Sequence, residues 1–138
     1  MCQYIHNEQF EWLREDLEKT GSERPVCVCL HIPFVSVRKQ IHDNPIAALS
    51  KGTLVNNGND VIKLLSNYNV QLVLQGHLHV VEEIKYMKTT YITAGAVSAN
   101  WWKGKHLGHP EGFVIVDVEG DTFNWKYETY GWTAEITS

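Results

Sequence analysis

The sequence predicts a mixed α/β fold, and three observations carry that prediction. Two stretches with helical spacing each hand over to a short, continuous apolar run; both runs end at histidine; and β-type runs separated by turn residues fill the second half of the chain. A strand that is apolar along its whole length must be covered on both faces, which is what helices packed on a sheet provide. The 138 residues fit one domain, and an apolar content of 43% is enough to fill its core.

The first helix is expected over residues 7–20, where Phe10, Leu13 and Leu17 share one face and Glu8 and Glu11 lie near the positive end of the helix dipole. Asn7 is the expected cap and Gly21 the expected stop. After Pro25, the run Val26-Cys27-Val28-Cys29-Leu30 reads as a strand buried on both faces, ending at His31-Ile32-Pro33. Residues 34–57 mix Pro45, Gly52, Asn56 and Asn57 with an apolar patch at 46–49, which predicts a long loop holding a turn or two of helix. A second helix is expected over 59–68, with Val61, Leu64, Leu65 and Tyr68 on one face and Asn59 as cap. It leads into a buried strand over 70–75 that ends at Gly76-His77-Leu78-His79. The β-type runs 80–87, 90–94, 112–119 and 122–129 read as antiparallel, the last two joined around Glu119-Gly120-Asp121. One sheet is therefore expected, with helices on one side and a second face in need of cover. Trp12, Trp125 and Trp132 are expected to be structural, and Asp117, Glu119 and Asp121 to be turn and surface residues.

The formal charge of -4 comes from interspersed acidic and basic residues with no basic run, so no nucleic acid is expected as a partner. Neither a membrane span nor a signal peptide is expected: no apolar stretch approaches about 18 residues, and the first residues lack the basic-then-apolar pattern. Three cysteines make no disulfide framework. Cys27 and Cys29 point the same way from one strand without facing each other, which predicts reduced, buried thiols, with a Cys-x-Cys metal site as the alternative.

Ligand sites in open α/β sheets gather beyond the carboxyl ends of the strands, which is where His31, His77 and His79 are expected. If the two strands are neighbours, three imidazoles converge, and neutral imidazole is a common ligand of transition metals. Gly76 suits a sharp turn at the strand end, and the intervening Leu78 puts His77 and His79 on one side if the segment stays extended. His42, His106 and His109 lie in loops that can approach the same edge, with His42 a candidate substrate contact. Trp101 and Trp102 are candidate apolar walls for an organic leaving group, one of the two being expected to pack in the core.

Leu30-His31-Ile32-Pro33-Phe34 resembles the single-histidine motif of calcineurin-like metallophosphoesterases, and Gln75-Gly76-His77-Leu78-His79 resembles their final Gly-His-x-His motif. Ala94-Gly95-Ala96-Val97, Trp101-Trp102-Lys103-Gly104 and Pro110-Glu111-Gly112-Phe113 resemble the tail of bacterial phosphoesterases of that superfamily. The resemblance implies part of a four-layer αββα sandwich, here two helix-strand units followed by an antiparallel β-meander. It implies a metal-dependent hydrolase, a phosphatase or phosphodiesterase acting on a phosphoester small molecule. Two divalent or trivalent ions of the Mn, Fe, Zn or Ni kind are implied in an intact site, His31 and His77 binding one and His79 the other. The family's earlier aspartates and its Gly-Asn-His motif have no counterpart upstream of His31, and His6-Asn7 has the wrong order to replace them. No catalytic residue is therefore assigned. The likeness makes Met1 the start of a truncated chain, expected to be inactive alone and partnered either by the N-terminal half or by a second copy in a homodimer. Val73, Ile92, Val114 and Val116 are then expected to lack their usual neighbours. The alternative is a non-catalytic metal-binding or interaction module that keeps half of the fold.

Overall fold

Val70–Gln75 is apolar on both faces, and the fold is built around it as the central strand β2. A computed structural model describes residues 3–135; Met1 and Cys2 lie outside the described residues. Strands β1 (Val26–Cys29) and β4 (Thr89–Ala94) flank β2, both parallel to it, and β3 (Val81–Tyr86) pairs antiparallel with β4 at the far edge. A separate two-stranded sheet follows, made of β5 (Phe113–Glu119) and β6 (Thr122–Glu128). The helices are α1 (Asn7–Thr20), α2 (Arg38–His42) and α3 (Gly58–Leu65). The chain is thus mixed α/β with six strands in two sheets among the described residues.

Alternation along the strands divides the four-stranded sheet into two faces. Val28, Val73, Tyr91 and Ile84 form one row across it and pack with Leu17 of α1 and Val61 and Leu65 of α3. The 8-residue α3 is too short to be stable by itself in water. Full burial of Val61 and Leu65 holds it, each contributing about 2 kcal/mol. On the other face run Cys29, Leu74, Ile92 and Glu83. Phe123 and Trp125 of β6 stand over this face, lining a cavity with Gln71, Leu72, Lys85 and Thr90.

Several expectations need correction. The β-type runs do not make one antiparallel meander: β4 lies parallel to β2, and β5 with β6 leaves the sheet altogether. Val73 and Ile92 do not lack neighbours, because each is fully buried beneath one of the two covering layers, while Val114 and Val116 are half-buried. Strand β1 is an edge strand rather than one buried on both faces, so Cys29 is exposed and Cys27 only half-buried. Burial, with the neighbouring Cys29, still pushes the Cys27 thiol up to about 12, so the free thiol stays protonated. The long loop does hold a short helix, at Arg38–His42, while the apolar patch at 46–49 is not buried, Ile46 being 93% exposed. Neither Asn7 nor Asn59 caps a helix; the flanking positions are His6 and Asn57, and the Asn57 amide instead bonds both backbone groups of Ile5. Trp12 is 62% exposed and is no core residue. Gly21 does end α1, at φ +82° with its N–H donated to the Leu17 carbonyl. No helix among the described residues is long and apolar enough to cross a membrane.

Candidate functional site

Parallel pairing of β1 with β2 brings their carboxyl ends side by side, and each end carries a histidine. The Gly76 N–H donates to the His31 carbonyl at 2.9 Å, stitching the two strand ends together. A Cβ on Gly76 would stand 3.6 Å from that carbonyl and 3.8 Å from His31 Nδ1, ordinary contact distances that place the His31 ring directly against this strand end. The His31 and His77 rings meet edge to face with centroids 5.2 Å apart. That spacing suits two imidazoles sharing one ion at about 2.1 Å from each nitrogen.

Beyond Gly76 the chain does not stay extended. Leu78 N–H closes a tight turn onto the Gly76 carbonyl at 2.8 Å, and His77 and His79 hold φ of +69° and +57°. A left-handed conformation at a non-glycine residue costs about 1–3 kcal/mol; burial of Leu78 between the two histidines anchors the turn. In consequence His77 and His79 do not share a side in the expected way. His77 goes to His31, whereas His79 stacks on Trp101 at a centroid distance of 4.3 Å and meets His106 at 6.0 Å. His79 Nδ1 lies 2.6 Å from the Ala99 carbonyl, which can only accept, so Nδ1 carries the proton and the Nε2 lone pair is free when the ring is neutral. A backbone carbonyl on the rear nitrogen is how metal-binding histidines are commonly oriented.

The loop histidines also reach this edge. His106 and His109 exchange backbone hydrogen bonds of 2.9 and 2.8 Å around Leu107 and Gly108, both at positive φ as in a two-residue hairpin turn. Six of the seven histidines, all but His6, therefore line one rim: His31 with His77, His79 with His106, and His109 with His42 at 6.2 Å. Burial foremost, then Arg38 and the neighbouring histidines, lowers the His106 pKa. Burial and His42 lower that of His109, against the opposing pull of Glu82. Both changes favour neutral imidazoles. Of the expected substrate contacts, Trp101 lies beside His77 in a cleft of about 400 Å³. His42 lines a different cavity, with Glu82 and His109, and Trp102 packs against Trp132 at 5.2 Å. Neither Trp101 nor Trp102 is a core residue, at 60% and 53% exposed.

A polar network that sequence reasoning missed fixes the segment after His31. Buried Gln75 accepts from the Phe34 N–H at 3.1 Å and donates to the Val35 carbonyl at 2.6 Å and to Thr93 Oγ1 at 3.0 Å. Thr93 donates in turn to Glu82 at 3.1 Å, and Glu82 also accepts from Ser36 Oγ at 2.8 Å and from the Val37 N–H at 3.1 Å. The visible signal was a glutamine at the end of an otherwise apolar strand. For Glu82→Ala, which takes the acceptor from the fully buried Thr93 hydroxyl and from Ser36, we expect a loss of about 1–2 kcal/mol, read from the urea midpoint; an unchanged midpoint would show the network to be incidental.

Among the described residues, no group of three His, Cys, Asp or Glu side chains is placed to hold a single metal ion. His31 and His77 form a two-donor pair, and His79 stands apart with its own free nitrogen. No protein-family model matches this chain, and no curated protein matches it.

Proposed function

We propose that this chain contributes His31, His77 and His79 to the metal site of a phosphoester hydrolase of the calcineurin-like type, a phosphatase or phosphodiesterase. The observation that carries the reading is the meeting of His31 and His77 at the ends of two adjacent parallel strands, 5.2 Å apart. Helices, four-stranded sheet and β-hairpin suit one half of a four-layer sandwich, with the other half or a second copy of the chain as the partner. His31 and His77 bind one ion; His79, its Nδ1 proton held by Ala99, presents Nε2 to the other. Trp101 stacked on His79 keeps water from one face of that ring. When bound, two ions of the Mn, Fe, Zn or Ni kind supply a Lewis-acid clamp on phosphate oxygens and an acidified water. The described residues bring no third donor to His31 and His77, so the chain by itself is proposed to bind metal and not to turn over.

The test pairs metal titration with an assay. In calorimetric titration with zinc or manganese, His31→Ala and His77→Ala should each weaken binding about tenfold or more, the equivalent of about 1.4 kcal/mol. Aryl phosphate should be hydrolysed by the chain no faster than by its His77→Ala variant. Equal metal affinity in the parent and both variants would overturn the assignment.

A further inference from the structure

The cleft beside His77 is cationic, and no acidic residue among the described ones lines it, although Arg38 also borders the neighbouring cavity of Glu82 and Glu83. Its walls include Arg38, Lys51, Thr53, His77, Trp101 and His106. The ion pairs among the described residues occupy Arg14, Lys39 and Lys126, and none of the described carboxylates lies within salt-bridge distance of Arg38. Arg38 Nε is shielded from solvent and has no hydrogen-bond partner among the described residues. A shielded guanidinium nitrogen without an acceptor is rare in folded proteins, because the lost hydration is not replaced. The planar fork of arginine matches two oxygens of a phosphate, and Lys51 adds a second positive charge on the same cleft. Trp101 forms the apolar side of the same space. His79 stacks on the indole at 4.3 Å, yet the residue remains 60% exposed, which leaves surface for another planar ring.

We infer that this cleft is a binding site for an organic phosphate with a planar ring, such as a nucleoside or aryl phosphate, its phosphate on Arg38 and Lys51 and its ring on Trp101. The inference rests on the phosphoester reading only for its place beside His77; the cations and the indole need no metal to act. Arg38 belongs to this site as a specificity-determining residue.

Titration of the full chain with adenosine 5′-monophosphate in a chelator-containing, metal-free buffer tests the site, with adenosine and inorganic phosphate as the partial ligands. The nucleotide should bind more tightly than either partial ligand, and its affinity should fall as sodium chloride is raised. Arg38→Gln should weaken it about ten- to a hundredfold, the range for a charge-assisted hydrogen-bond pair. Lys51→Ala, on an exposed loop residue that does not threaten folding, should weaken it less and in the same direction. Trp101→Ala should remove the advantage of the nucleotide over inorganic phosphate. Binding that is absent, or equal in the parent, Arg38→Gln and Lys51→Ala, would overturn the site; nucleotide affinity indifferent to Trp101→Ala would overturn the planar-ring ligand. Because chelator is present throughout, failure of the metal reading leaves these outcomes unchanged.

Discussion

Gln75→Leu should lose about 2–4 kcal/mol of folding stability while keeping nearly the volume of the native side chain. The substitution leaves the Phe34 N–H and the Val35 carbonyl without partners in a buried setting, at about 1–3 kcal/mol each, partly offset by the apolar replacement. Thr93 keeps its bond to Glu82, so its hydroxyl adds little to the loss. Urea denaturation followed by circular dichroism reads the effect as a lower midpoint at unchanged slope. The consequence also reaches the candidate site, since residues 34–37 continue directly from His31-Ile32-Pro33. Loosened there, His31 should hold its place against His77 less firmly, and the metal affinity proposed for this pair should fall although neither histidine is replaced. A midpoint within error of the parent would show that water replaces the glutamine at no loss.

The second large effect is expected at Gly112. A Cβ there would run into the Glu128 backbone carbonyl and stand 2.7 Å from the Tyr127 ring, and the carbonyl cannot move without shifting β6. Gly112→Ala should therefore cost about 2–4 kcal/mol, from overpacking together with the local rearrangement it forces. In a domain of this size that corresponds to a fall of about 10 °C in Tm. Gly95 faces the same Tyr127 ring from the other side, with the hydroxyl 2.6 Å from where its Cβ would lie. The tyrosine is thus clasped between two glycines, its hydroxyl donating to the Pro110 carbonyl at 2.9 Å. A Gly112→Ala protein that melts with the parent would mean that the hairpin is free to shift outward at little expense.

Legibility in the sequence followed the range of the interaction. The strand Val70–Gln75 and helix α1 could be read because their apolar patterns are local, and His31 and His77 could be paired because both end apolar runs. The hairpin around Gly120 was visible in its turn residues. Strand order was not, since the parallel pairing of β4 with β2 across the intervening β3 is a non-local choice with no marker in either strand. The bent path through His77 and His79 was hidden because neither is a residue that favours positive φ as glycine does. Glu82 and Arg38 escaped notice for a related reason: one is tied to Ser36, 46 residues away, and the other is defined by the partner it lacks.

The division into two sheets bears on how the molecule opens. Strands β5 and β6 share ladder bonds only with each other, so the hairpin is able to lift away without breaking one backbone bond of the four-stranded sheet. What holds it down is Phe123 and Trp125 standing over the second face, the Tyr127 clasp, and the bonds from the Gly112 N–H to the Ala96 carbonyl and from the Tyr130 hydroxyl to the Val97 carbonyl, beside the fully buried core under α1 and α3. Two cooperative units follow, and amide protons would report them separately: those of the hairpin exchange with solvent through a partial opening that bares Leu72 and Ile92, while those of β2 wait for the whole chain to unfold.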